Sequence, residues 1–131
     1  GPDGRNAEAP IERRRLLYVI GQMLDLEFAA RGLAVATAEG DYSRALIARG
    51  EAARAQLERI AALVPHRAIR AVLDAGSVRL AVGNGPALLA AAERMSAAAQ
   101  DFGDEGHFDQ LAAVDALLPH ASAYKGPVYQ P

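Results

Sequence analysis

Two long runs of apolar residues, spaced three and four apart, dominate the first half of the chain. In the first, Leu16, Val19, Met23, Leu26, Ala30 and Leu33 recur on one helical face. In the second, Tyr42, Leu46, Gly50, Ala53, Leu57, Ile60 and Val64 do the same. Side chains at these spacings share one side of a 3.6-residue helix, so each run predicts an amphipathic helix. Glu39-Gly40-Asp41 separates them. Glycine suits the left-handed position that ends a helix, and Asp41 or Ser43 can cap the helix that follows. The pattern predicts a long αα-hairpin with arms over about residues 11–38 and 41–64.

The first arm carries more apolar surface than one neighbour can cover. Leu17, Ile20, Leu24, Phe28 and Val35 form a second stripe beside the first, which predicts contact with more than one helix. Tyr18, Gln22, Asp25, Ala29, Gly32 and Ala36 fall on its more polar or small-residue side. Glu27 and Arg31 sit inside the second stripe, four residues apart in the glutamate-first order that favours an ion pair. Folding the hairpin about residue 40 brings Glu27 opposite Ala53 and Arg54, which predicts a small charged cluster there. On the second arm Arg44, Arg49, Glu51, Arg54, Glu58 and Arg59 fall mostly outward. Gly50, in its seam, predicts a close backbone approach near Gly32.

The second half is interrupted at Pro65, Gly76, Gly83 to Gly85 and Gly103, which predicts two or three shorter helices clasping the hairpin. His66 to Ala75 reads as a short helix burying Ile69, Val72 and Leu73. Ser77 to Val82 alternates apolar and polar residues and fits either a short strand or a final helical turn. Gly83-Asn84-Gly85 reads as a turn, with Pro86 as the first residue of a helix that runs to about Gln100. Leu88, Ala92, Met95 and Ala99 form its buried side. Gly103 is expected to end it and Asp104 to cap a last helix lined by Phe108, Leu111, Val114 and Leu118, stopped by Pro119. Residues 1–10 read as a flexible lead-in and 119–131 as an extended tail, leaving a single domain over 11–118.

Composition agrees with an all-α helical bundle. Half of the residues are apolar but only 5 % are aromatic, and alanine, the best helix former, dominates. A length of 131 residues suffices for one buried core. The net charge of -2 excludes a basic nucleic-acid surface from the expected partners. No apolar run approaches the roughly 20 residues of a bilayer span, so any membrane contact is expected only through segments outside this sequence. Cysteine is absent, which removes disulfides and thiolate chemistry without fixing the compartment. Gly1-Pro2 resembles a protease-cleavage scar, which implies a piece of a longer protein. Arg13-Arg14-Arg15 reads as a solvated helix start or as a stub that meets lipid headgroups.

Candidate chemistry is sparse. Val78 to Leu88, with Gly83-Asn84-Gly85-Pro86, looks like the strand, glycine turn and helix start of dinucleotide-binding folds, but Leu88 replaces the third glycine. Asp101, Asp104, Glu105, His107 and Asp109 form an acidic turn whose spacing fails the EF-hand pattern: Gly103 falls at a ligand position and Ala112 where a bidentate glutamate belongs. His66 and His120 stand beside prolines at helix edges, where histidine usually faces solvent or the helix dipole. Tyr124 to Tyr129 reads as an extended peptide. No nucleophile, base and oxyanion set is present, so the expectation is a non-enzymatic domain without catalytic residues, metal or cofactor.

The segment Glu27-Phe28-Ala29-Ala30-Arg31-Gly32-Leu33, continued by Ala34 to Tyr42, resembles extracytoplasmic helical sensor modules. These are the CHASE3 and four-helix chemoreceptor types and the nitrate-sensor helical domains, in which a long helix carries Glu-x-x-x-Arg-Gly before an acidic or glycine turn. The resemblance covers the hairpin alone. It implies a signal-input domain that binds a small ligand or a partner and relays a helix shift, with Glu27, Arg31 and Arg54 as the ligand-binding residues. It also implies a periplasmic or extracytoplasmic location; without it, a cytoplasmic one stands. The alternative is a helical interaction or assembly domain, forming a homodimer or meeting a partner helix through the alanine-rich face of Pro86 to Gln100.

Overall fold

A computed structural model of the chain describes residues 10–119. The lead-in over 1–9, His120 and the Tyr124 to Tyr129 peptide lie outside the described residues. Four α-helices and one 3-10 helix run in order: α1 (Pro10–Val35), α2 (Asp41–Leu63), α3 (Arg67–Ala75), α4 (Gly85–Glu105) and the 3-10 helix η1 (Asp109–Leu117). No strand forms among the described residues, and the fold is an all-α bundle built on the hairpin of α1 and α2.

The hairpin turn differs in detail from its sequence reading. α1 stops at Val35, three residues before the predicted end, and Gly40 is extended (φ 178°), not left-handed. Gly40 instead becomes the N-cap of α2. The buried Ser43 closes this turn: its hydroxyl accepts from the Gly40 N–H at 2.9 Å and donates to the Gly40 carbonyl at 3.0 Å. Asp41 lies in the first turn of α2, where the helix dipole favours an acid, and pairs with Arg44 at 2.5 Å.

α1 packs against both α2 and α4. Its contacts to α2 come from the side that looked merely polar or small. Gln56 donates to the Tyr18 hydroxyl at 2.8 Å, and Arg49 bonds Asp25 at 2.7 Å. A Cβ added at Gly32 would meet the end of Leu46 at 2.7 Å. Gly50 lies beside Ala29 and Leu80, not beside Gly32 as the hairpin pattern predicted. Small residues on this line let the two backbones approach, so size decided the packing side where hydrophobicity did not.

α4 lies antiparallel to α1: Gly85 is beside the Ala34 carbonyl and Gly103 beside Ile20. It begins at Gly85, with Pro86 in second place, and runs five residues past its expected end at Gln100. Gly103 therefore does not stop the helix and Asp104 caps nothing. A mid-helix glycine costs roughly 1 kcal/mol relative to alanine, whereas fully burying the neighbouring Phe102 gains about 1.5–3 kcal/mol, so packing carries the helix through. Gly106 (φ +74°) takes the left-handed turn that follows, and the last segment is a 3-10 helix, not the α-helix expected.

Ser77 to Val82 forms no strand; Ser77 and Val78 add a last turn after α3, their N–H groups donating to the Asp74 and Ala75 carbonyls at 3.3 and 3.2 Å, and Asn84 closes the loop that follows by donating to the Arg79 carbonyl at 2.9 Å. The strand that a dinucleotide site requires is absent here. The core joins Val19, Met23, Leu26 and Leu33 of α1 to Leu57, Ile60, Ile69, Leu88, Met95, Phe102 and Leu111, all fully buried. Arg15 clamps the start of α1 to η1, its Nε and Nη2 each donating to an Asp115 carboxylate oxygen at 2.7 Å. No helix of the described residues is long and apolar enough to cross a membrane.

Candidate functional site

Of the three predicted ligand residues, Glu27 and Arg31 meet and Arg54 stands apart. Arg31 Nε donates to Glu27 Oε2 at 2.8 Å, an i,i+4 pair with the guanidinium side two-fifths exposed. The pair sits one to two turns beyond Ile20 and Leu24, on the flank of α1 that borders α4. Arg54 belongs to the other side. Its guanidinium Nη1 donates to the Gly76 carbonyl at the end of α3, where a helix dipole favours a cation. No ion pair among the described residues joins Arg54 to Glu27. The expected cluster fails because α2 docks on the Asp25 and Ala29 line, turning Glu27 away from it.

Arg54 instead lines an open cleft of about 480 Å³ between α2 and α3, with Glu58, Arg70, Leu73, Asp74 and Ser77. The Ser77 hydroxyl donates to the Asp74 carbonyl at 2.8 Å. Two guanidinium groups and two carboxylates thus face one opening, a balance suited to a small molecule carrying both charges.

At the start of α3, one turn before Arg70, His66 is a structural histidine. Its Nδ1 accepts from the Ala68 N–H at 2.9 Å and so caps α3, which leaves the proton on Nε2, 2.7 Å from Glu105 Oε1. The ring packs between Phe102 and Phe108, with centroids 5.1 and 5.0 Å away. Of the acidic turn, Asp101, Asp104 and Glu105 are drawn into α4 and Asp109 starts η1, and no three potential metal ligands converge among the described residues.

The feature that sequence reasoning misassigned is the second stripe of α1. Leu17, Leu24 and Phe28 are 50–51 % exposed and Val35 is 72 % exposed. Of that stripe, Ile20 is partly buried and packs against the core. The line continues through Gly21, where an added Cβ would meet nothing within 4 Å, and through Arg31. Arg49 stacks over the Phe28 ring at 4.6 Å. Expected to be a packing face, the stripe is an uncovered apolar face, and its sevenfold recurrence (17 to 24, 28 to 35) was the available signal. The chain matches no protein-family model, no curated protein and no solved structure.

Proposed function

We propose that this domain is a helical interaction module that engages another helix through the exposed stripe of α1. The supporting observation is the row Leu17, Leu24, Phe28 and Val35, four large apolar side chains at least half exposed along one helix face. Isolated exposed leucines need no explanation, but a contiguous row at coiled-coil spacing marks a protein-binding surface. The proposed interface is therefore on α1 and not on the alanine-rich face of Pro86 to Gln100, which offers one large exposed apolar residue, Leu89. The test is a photo-crosslinking side chain at position 24, compared with one at the exposed Ala90, in the protein within its native cell. Adducts at 24 and not at 90 are expected; equal yields at both, or none at 24, overturn the reading.

A second reading, the signal-input domain, is supported by the cleft that Arg54 lines. In it Arg54 and Arg70 bind the carboxylate of a zwitterionic ligand and Glu58 or Asp74 its ammonium group. A thermal-shift screen with amino acids and betaines tests it. A stabilising hit that Arg54→Ala abolishes is expected, and the absence of any hit removes the reading.

A further inference from the structure

We infer that the partner helix carries an arginine that lies in the groove between α1 and α4, beside the stripe. This rests on the interaction reading above and names the chemistry of its partner. The groove is built from three lines of residues four apart, which are neighbours on a helix surface. Ile20 and Leu24 of α1 form an apolar wall, Ala99 and Gly103 of α4 the floor, and Ser96, Gln100 and Asp104 a polar wall. Leu24, half exposed, belongs to both the groove and the stripe, so one helix laid along α1 covers the two together. The floor is low because Gly103 has no side chain; a Cβ there would meet Ile20 Cδ1 at 3.5 Å.

The groove holds about 280 Å³ and is open to solvent. Small-molecule sites run from roughly 300 to 1,000 Å³ and enclose most of their ligand, so this one fits a single long side chain delivered by a docked partner. The walls select that side chain. None of Ser96, Gln100 and Asp104 has a side-chain hydrogen bond or ion pair among the described residues. Their oxygens are acceptors, one set of them a carboxylate, beside an apolar wall. An arginine stem can lie along Ile20 and Leu24 while its guanidinium, with five donors and no acceptor, reaches Asp104 and Gln100. A partner's carboxylate in the same place would face Asp104 as like charge. The nearby cations of α1 do not fill the role. Arg31 is held by Glu27 at 2.8 Å, and Arg13 stands seven residues before Ile20, about 10 Å along the helix.

A photo-crosslinking side chain at position 100, in the protein within its native cell, is expected to trap the same partner as one at position 24. The trapped segment, read by mass spectrometry, is expected to carry an arginine three or four residues from its apolar row. Asp104→Lys is expected to lower the yield at 24 several-fold and Asp104→Glu to keep most of it. Glu51→Lys makes the same charge change as Asp104→Lys, at an exposed position of α2 outside the groove, and is expected to leave the yield intact. Gly103→Leu fills the floor with a better helix former, so the fold is kept and the adduct at 100 is lost; circular dichroism checks each variant. In the purified protein propylguanidinium, the arginine side chain alone, is expected to shift the amide resonances of residues 96–104. Butyrate, the same chain ending in a carboxylate, should leave them in place. Adducts at 24 without any at 100, a trapped segment without arginine, equal losses from Asp104→Lys and Glu51→Lys, or the same response to both small molecules, none included, each overturn the inference. Those outcomes leave the helix-binding reading standing, whereas no adduct at either position removes both.

Discussion

Gly50 of α2 lies so close to Ala29 of α1 that a Cβ placed on it would stand 3.0 Å from the Ala29 Cβ and 2.9 Å from Leu80 Cδ1. The Ala29 contact cannot swing aside, because that carbon is fixed to the backbone. Gly50→Val is therefore expected to destabilise the fold by about 2–3 kcal/mol through overpacking, measured by urea denaturation. Gly21, also mid-helix, faces open space. Gly21→Ala is expected to stabilise the monomer by up to about 1 kcal/mol through helix propensity. The opposite signs are the check.

Leu24 and Leu26 are two residues apart and lie on opposite sides of α1. Leu26 is fully buried, and a Cβ at Gly76 would touch its Cδ2 at 2.8 Å, whereas Leu24 is half exposed. Leu26→Ala is expected to cost about 2–5 kcal/mol by leaving a cavity. Leu24→Ala should stay within about 0.5 kcal/mol when measured on dilute protein. Similar losses at both positions would mean that the stripe is covered within the monomer.

The last turn of α4 depends on an aromatic contact and not on its own sequence. Phe102→Ala is expected to cost about 3–5 kcal/mol and to fray α4 beyond Gln100, seen as faster amide exchange over residues 101–105. His66→Ala removes the cap on Ala68 and is expected to cost about 1 kcal/mol or more. Asn at position 66 can still cap the helix and should lose less.

Arg15 and Asp115 supply a pH dependence. The hydrogen bonds from the Arg15 guanidinium, and then its positive charge with that of Arg14, hold the Asp115 carboxyl below its ordinary value. The sign follows from linkage. A folded-state value below the unfolded one gives stability that is present above the unfolded carboxylate range and lost as pH falls through the folded value. Melting temperatures between about pH 2 and 6, a window that brackets the ordinary aspartate value, should therefore fall more steeply for the wild type than for Asp115→Asn. The difference should shrink in high salt, because the pair lies at the surface.

Much of this architecture was legible in the chain. The two arms of the hairpin, the short helix after His66 and the helix led by Gly85-Pro86 follow from periodicity, proline and glycine placement. What was not legible is which side of α1 meets which neighbour. Three faces of that helix carry apolar or small residues, and hydrophobicity ranked Phe28 and Leu24 above Ala29 and Gly32 as packing positions. Close approach reversed the ranking, because two backbones can draw together only over small side chains. The same error assembled Glu27, Arg31 and Arg54 into a cluster that the docking of α2 on Asp25 and Ala29 prevents. Gly103 misled for a related reason: the anchoring of Phe102 is a long-range effect that no local rule contains.

The turn that Ser43 closes has a kinetic consequence. With only Ala36 to Gly40 between the arms, the ends of α1 and α2 meet at little loop-closure cost, while α4 must be gathered from some 50 residues further along the chain. The hairpin is thus expected to form before α4 docks. Substitutions in the Ala29–Gly50 contact should slow folding, whereas those at Phe102 should mainly speed unfolding, a contrast that stopped-flow chevrons can read.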